Sequence, residues 1–284
     1  MGRAGRGFVG TFAAAAFVGL LMVMVAFAQQ SYRLRERSFL EYSYGESVLR
    51  IFDSSASAVQ NITGVYYLFA RNGTRTNSTF YGGFPLADFS GGISAYSGFL
   101  SANFSNATSS YIAPDFSSLS SGDVTILSNG GIEFVSDYSA NSAGVQTVSP
   151  SGNTRMTDAT IELDTPETLG TTVPWTYDPS GDANVTLVLR HAGGTLQSSG
   201  KMLSTVGHTY TMRFGGNNRL RAFFGKQATR DGVFGADARD MEAKWKITAL
   251  IPYVNASSWY YDAQLGVSKG NIRRDSKLFV YGGQ

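Results

Sequence analysis

The sequence predicts an α+β protein, with a long amino-terminal helix followed by a predominantly antiparallel β head of the sandwich, jelly-roll-like kind. The helix is predicted by an uncharged apolar run that passes without a break into an apolar stripe at helical spacing. The head is predicted by short β-rich runs separated by clusters of Gly, Ser, Asn and Asp. The 33 glycines and the low charged fraction of 15% agree with turn-rich β structure.

The helix begins with an apolar run at residues 8–28 that contains no charged residue and no proline. As a helix the run would be about 30 Å long, which matches the hydrocarbon thickness of a bilayer. Apolar residues then recur mostly three or four positions apart, and these are Leu34, Leu40, Tyr44, Val48, Phe52, Ala56, Val59 and Ile62. This spacing predicts one continuous stripe that ends at Gly64. Gly45 lies within the stripe and predicts a bend or break.

Sequons for N-linked glycans are frequent in this chain. Seven of the thirteen asparagines stand in N-x-S/T sequons, namely Asn61, Asn72, Asn77, Asn103, Asn106, Asn184 and Asn255. They predict a glycosylated face outside the cell, with the apolar helix in the membrane. The sequence has no Cys, which excludes disulfides, thiol chemistry and Cys-based metal sites.

The first thirty residues have three interpretations. A cleaved signal peptide would end at Ala28, because Ala26-Phe27-Ala28 has the A-x-A form of a cleavage site. An uncut signal anchor would keep the whole apolar run, whose length suits a membrane span. Arginines on both sides of the run leave its orientation undetermined by the positive-inside rule, so the sequons decide that the carboxyl end is outside.

The third interpretation is a resemblance. A short basic leader ends in Arg6-Gly7, and Phe8 opens an apolar run that leads directly into the amphipathic helix. This arrangement resembles the type IV prepilin signal, which a dedicated peptidase cuts after the glycine. The glutamate common at the fifth mature position of bacterial pilins is Phe12 here. With the sequons and the absence of Cys, the chain is most similar to archaeal pilin-like proteins.

The resemblance covers residues 1–64 and implies a division of that segment. Residues 1–7 would be the leader, with cleavage between Gly7 and Phe8, and residues 8–64 would be the membrane and assembly helix. That helix would lie in lipid or pack against sister helices, through residues that include Phe12, Ala15, Phe17, Leu20 and Val23.

The remaining chain is expected to be β-rich. Within residues 65–110 we expect a hairpin around Asn72-Gly73 and a short helix at 92–104. Residues 111–284 are expected to form the sandwich, with a long connection at 164–182. Its predicted strands are residues 123–127, 132–136, 144–148, 159–163, 184–190, 209–214, 219–224, 244–252, 257–267 and 277–281.

Catalytic and metal-binding motifs are not found in the sequence. His191 and His208, the two histidines, do not stand at a metal-ligand spacing, and no nucleophile, phosphate-loop or dinucleotide motif occurs. The oxygen side chains of Asp178, Ser180 and Asp182 alternate as in a calcium loop, but the later bidentate Glu is missing. We therefore predict a non-enzyme without a cofactor or metal, and treat these acids as a solvated turn.

Carboxylate pairs and a basic hairpin were the other candidate sites. The pairs Glu162 and Asp164, and Asp240 and Glu242, suit glycoside chemistry only if the fold brings two carboxylates to the required distance. The hairpin at 212–224 mixes arginines with aromatic residues, as a surface for nucleic acid or an acidic glycan does. The favoured interpretation places Arg213, Arg219 and Arg221 in solvent and Leu220 or Phe223 in the core.

The charge is unevenly distributed around a net value of +2. Residues 65–170 carry 3 basic and 9 acidic groups, whereas residues 171–284 carry 14 and 8. Opposite charges of this kind suit subunits that stack on one another. We therefore expect a pilin-like subunit for filament assembly or adhesion, with lipid, other pilin-like subunits and surface glycans as partners and no nucleic acid. The alternative is a monomeric membrane-anchored enzyme or binding module acting on surface glycans.

Overall fold

The computed structural model describes residues 4–72, 75–128, 131–147, 157–227, 230–252 and 259–280. Helix α1 (Ala4–Thr63) is continuous over 60 residues. The helix is not broken at Gly45, because the head supports it from the next turn onward. Gly64 ends the helix in the left-handed conformation, φ 65°, and its N–H bonds to the Gln60 carbonyl.

Short helical segments follow the first hairpin. They are α2 (Ser90–Gly98), a π-helical turn (Phe99–Phe104), α3 (Ser105–Thr108) and a 3₁₀ turn (Ser117–Leu119). The helix predicted at 92–104 is therefore observed as the end of α2 together with the π-helical turn.

Sixteen strands are present in the described residues. In chain order they are β1 (Tyr66–Asn72), β2 (Arg75–Phe84), β3 (Tyr111–Asp115), β4 (Val124–Ser128), β5 (Ile132–Asp137), β6 (Ser142–Thr147), β7 (Asp158–Asp164), β8 (Thr171–Val173), β9 (Ala183–His191), β10 (Gly194–Met202), β11 (His208–Arg213), β12 (Arg219–Gln227), β13 (Arg230–Arg239), β14 (Ala243–Pro252), β15 (Trp259–Lys269) and β16 (Ile272–Val280). The α+β class, with a long helix and a mostly antiparallel head, is confirmed.

The strands form two sheets. The six-stranded sheet has the order β1-β2-β14-β7-β9-β10, and the ten-stranded sheet has the order β16-β15-β4-β5-β6-β13-β12-β11-β8, with β3 also paired to β15. Among the described pairs only β7 and β9 are parallel. The first hairpin pairs with β14, so it belongs to the six-stranded sheet. Each of the ten predicted strands overlaps an observed one, and β3, β8, β10 and β13 were not predicted.

The two sheets face each other across an aromatic core. Phe80 of β2 stacks on Phe134 of β5, with ring centroids 4.4 Å apart, and Phe69 of β1 stacks on Trp259 of β15 at 4.7 Å. The inward residues of β9, such as Leu187, are fully buried and alternate with less buried outward residues. One face of the sheet therefore packs in the core and the other faces solvent.

Helix α1 packs on β15 and β16 through the carboxyl-terminal part of its stripe only. Tyr44 lies against Gly270 of the β15–β16 turn, and the Arg274 guanidinium lies 5.0 Å from the centroid of the Phe52 ring. Five apolar residues of this part of the helix are buried, and these are Val48, Ile51, Phe52, Ala56 and Val59, together with the polar Ser55 and Thr63. Leu34 and Leu40 belong to the same predicted stripe but are exposed, because the head begins at the level of Tyr44.

The direction of α1 defines two ends of the sandwich. Strand β1 continues in the direction of α1, because Tyr67 contacts Tyr261 and Phe69, two residues later, contacts Trp259. The β1–β2 hairpin therefore lies at the end far from the amino-terminal half of α1, which we name the distal end. Strands β2, β5, β7 and β13 run the opposite way and finish at the proximal end.

Candidate membrane and assembly helix

The amino-terminal half of α1 is apolar and uncovered. Phe17, Leu20 and Val23 are 61%, 59% and 69% exposed, and the most apolar stretch of the helix has no buried residue. Among the described residues α1 is the one helix long and apolar enough to cross a membrane. Gly7, Phe8, Phe12 and Ala15 lie on its first turns, and their side chains are outside the described part of the chain.

This surface requires a partner of low polarity. Burying one large aliphatic or aromatic side chain is worth about 1.5–3 kcal/mol. Nine such residues are exposed between positions 17 and 27, and these are Phe17, Val18, Leu20, Leu21, Met22, Val23, Met24, Val25 and Phe27. They surround the helix, so a single flat partner would leave half of them in water. Lipid or a bundle of helices covers such a helix on all sides.

A polar boundary separates this surface from the head. The run ends at Ala28, and Gln29, Gln30 and Arg33 follow within about one turn. Tyr32 and Tyr42 are 70% and 73% exposed on the same stretch. Tyrosine and arginine at the end of an apolar helix are typical of a membrane–water interface.

The sequons lie on exposed surface wherever their side chains are described. Asn61, Asn77, Asn103, Asn106 and Asn184 are all exposed. Asn72 ends β1 with its side chain outside the described part, and Asn255 lies between the described ranges. Asn72, Asn77 and Asn184 are located at or near the distal end, since β2 and β9 both begin there. Their exposure meets the steric requirement for a glycan.

An open cleft of about 750 Å³ lies at the proximal end. Four loops build it, and its lining residues include Leu86, Tyr138, Glu167, Met241 and Glu242. No local sequence pattern predicts this cleft, because its residues come from four distant segments.

The Asn141 side chain joins the loops that form this cleft. Its carbonyl accepts the Leu86 N–H at 2.8 Å, and its amide donates to the Ala238 carbonyl at 2.8 Å. Asn141 adopts φ 49°, which an asparagine tolerates better than most residues. These two bonds tie the loop between β5 and β6 to the chain that follows β2 and to the end of β13.

The oxygen side chains that resemble a calcium loop do not converge. Asp178 accepts two bonds from Ser180, at 2.8 and 2.6 Å. Asp182 instead bonds to the backbone and hydroxyl of Ser204, and Asn184 donates to Asp158. Within the described ranges no group of three acidic or histidine side chains is placed to hold a metal.

Glu162 and His191 occupy ordinary structural positions, whereas Asp240 and Glu242 line the proximal cleft and the buried Nε2 atom of His208 has no hydrogen-bond partner in the described residues. Glu162 bonds to Lys246 at 2.7 Å and to Arg190 at 3.0 Å. The Lys246 bond is the largest cause of a lowered Glu162 pKa, which is the opposite of what a general acid needs. His191 accepts the Gly193 N–H in a turn.

The basic hairpin has its arginines outside, as the sequence favoured. Arg213 is exposed and Arg219 and Arg221 are half-buried, whereas Leu220 is fully buried. Of the two residues expected as alternatives for the core, Leu220 occupies it and Phe223 does not. Phe223 lies on the outer face because it shares the parity of Arg219 and Arg221, and its ring covers Gly235.

Comparisons of this chain with family models, curated proteins and solved structures find no match. The helix and the head therefore define the class on their own. The protein is a β-sandwich-like head on a helix whose amino-terminal half is long and apolar enough to cross a membrane.

Proposed function

We propose that the protein is a pilin-like subunit of the cell surface, in which α1 moves from lipid to sister helices and carries the head outside the cell. The observation that carries this proposal is the division of α1. Its last twenty residues pack on the head, whereas its apolar first half contacts nothing in the described chain. A plain anchor needs no rigid continuation between membrane and head, but a subunit in a filament does.

The sequons support the external position of the head. Five described acceptor asparagines are exposed, and three sequons lie at or near the distal end, far from the proposed membrane. Glycans at the three distal sequons would not obstruct contacts between the amino-terminal halves of neighbouring α1 helices.

The first experiment is mass spectrometry of the mature amino terminus in protein purified from its native cells. A mature chain that starts at Phe8 agrees with prepilin processing. A start at Gln29 would refute the proposal, because the helix would be gone. A start at Met1 or Gly2 would favour an uncut anchor.

The second experiment is electron microscopy of cells that express the Ala15→Asp variant. A charge in the apolar helix should abolish filaments while the head remains folded, because packing among sister helices would bury that charge. Filaments of normal number and length in this variant would contradict assembly through α1.

A further inference from the structure

Three arginines lie side by side across three strands of the ten-stranded sheet. Arg219 of β12 is directly opposite Arg213 of β11 on one side and Arg239 of β13 on the other. Residues opposite each other in antiparallel strands have Cβ atoms about 4.5–5.5 Å apart and share a face. The face is the outer one, since the adjacent Leu220 and Met212 are fully buried. We name these residues the arginine row.

The arginine row has little compensation from carboxylates. Arg221, one step along β12, is matched by Asp237, which accepts at 2.9 Å with both oxygens. Arg213 and Arg219 have no ion pair within the described chain. Arg239 contacts Asp240 at 3.4 Å, but both side chains are 62% exposed. Like charges directly opposite each other destabilise a sheet, so this arrangement needs a reason.

Arg219, the central residue of the arginine row, has a donor without an acceptor. The Nε atom of Arg219 is buried and has no hydrogen-bond partner in the described residues. A buried donor of a charged group is costly when it has no acceptor. An oxyanion held between the guanidinium groups would reduce the repulsion between the three arginines, and an outward turn of the Arg219 side chain would give its Nε atom that acceptor.

A concavity of about 290 Å³ lies on the same face, further along the strands, and none of the three arginines of the row lines it. Arg221 and Phe223 line it with the hydroxyl-bearing Thr209 and Ser142. The Asp237 carboxylate also lines it and is paired with Arg221. The Phe223 ring covers Gly235, where a side chain of any other residue would collide with the neighbouring strand. A ring face beside hydroxyl groups suits a sugar, which presents apolar C–H groups on one side and hydroxyls at its edge.

We propose that the arginine row and the nearby concavity bind an acidic glycan, with a carboxylate or sulfate group between Arg213, Arg219 and Arg239 and another sugar of the same chain against Phe223, about 13 Å along the strand from Arg219. Guanidinium groups bind such oxyanions with paired hydrogen bonds that lysine cannot reproduce. Nucleic acid is disfavoured, because single strands bind on several aromatic platforms and this surface has one. The proposal concerns the head and does not depend on assembly through α1.

The experiment measures binding of polysaccharides to the full chain in lipid nanodiscs by calorimetry. The probes are heparin, which is sulfated, polygalacturonate, which is carboxylated, neutral dextran, and a single-stranded DNA oligonucleotide. At least one acidic polysaccharide should bind and dextran should not. Replacing all three arginines by glutamine should weaken that binding by about tenfold or more, since each bidentate contact is a strong one.

The matched control carries Lys201→Gln, Lys244→Gln and Arg273→Gln, which remove the same charge from exposed positions elsewhere. It should weaken binding by less than about twofold, because the lost contacts are only long-range. Equal losses in both variants would overturn the proposal, as would binding of DNA alone or of no probe. The triple arginine variant should also unfold at an equal or higher temperature, since it loses like-charge repulsion. A variant that fails to fold would contradict the proposal.

Discussion

Gly270 and Tyr44 form the contact between the head and helix α1 that lies at the proximal end. A Cβ atom at Gly270 would lie 2.5 Å from the Cε2 atom of Tyr44, and Gly270 has φ 57°. The ring therefore rests directly on the backbone of the β15–β16 turn, which only glycine permits at this distance.

The Gly270→Ala variant should be destabilised by about 2 kcal/mol or more, because it combines backbone strain with displacement of the Tyr44 ring. Thermal unfolding followed by circular dichroism measures the effect. Gly216→Ala is the matched control, since Gly216 has φ 68° and open space around it. The control should lose only about 1 kcal/mol. Equal losses would show that the Tyr44 contact adds nothing.

A charge at Val23 should impair the helix surface without affecting the head. Val23→Asp places a carboxylate in the apolar segment, which costs about 3 kcal/mol at the centre of a membrane helix. Membrane fractionation should show loss of the protein from the membrane, and microscopy should show loss of filaments. Leu68→Asp is the control, because Leu68 is exposed on β1 of the head. Similar losses in both variants would contradict a special role for α1.

The ion pairs of Glu162 predict a loss of stability in acid. Its pKa is lowered mainly by the Lys246 hydrogen bond, so its contribution is complete above the ordinary value of 4.5 and is lost as the pH falls through the lowered pKa. Glu162→Gln should reduce stability at pH 7 by about 0.5–1 kcal/mol, since both cationic partners are half exposed. Urea unfolding at a series of pH values from 7 downward tests this. A difference between the two proteins that does not shrink as the pH falls would disagree with the linkage.

Tyr67 predicts a loss of stability in alkali. Burial raises the pKa of Tyr67 to about 12, and the nearby Tyr261 hydroxyl offsets a part of this effect. The contribution is complete below the ordinary value of 10.0 and is lost as the pH rises to about 12. Tyr67→Phe should therefore lose less stability than the natural chain above pH 10, by roughly 1 kcal/mol or less for this partly exposed group.

The phenolate absorbance of the folded protein reports the ionisation of its tyrosines and therefore the raised pKa of Tyr67. Tyr66→Phe is the control, because Tyr66 is the exposed neighbour on the same strand. A Tyr67→Phe variant that declines in alkali as steeply as the natural chain would exclude this origin.

Periodicity predicted the helix and ten strands because their apolar residues alternate or recur as burial demands. Strand β10 was missed because it is a polar edge strand in which only Met202 is buried. Strand β13 was missed because it is buried and contains glycine. Its Gly235 is buried against β6, where the absence of a side chain is the requirement, and a glycine reads as a turn in a sequence.

The candidate sites were predictable only in part. The exposed apolar half of α1 is local in sequence, so composition identified it. The sequence predicts only a part of the arginine row, because Arg213 and Arg219 belong to one hairpin. Arg239 joins them through the pairing of β12 with β13, and a single sequence does not encode that register in any local pattern.

The way α1 joins the head has a mechanical consequence. The helix lies along β15 and antiparallel to it, from Tyr44 at one end of the contact to Thr63 at the other. A pull along the helix axis therefore loads all of these contacts together, in shear. A sideways pull would instead peel them one after another, starting at Tyr44. The joint is therefore expected to resist a pull along the helix axis better than a sideways pull.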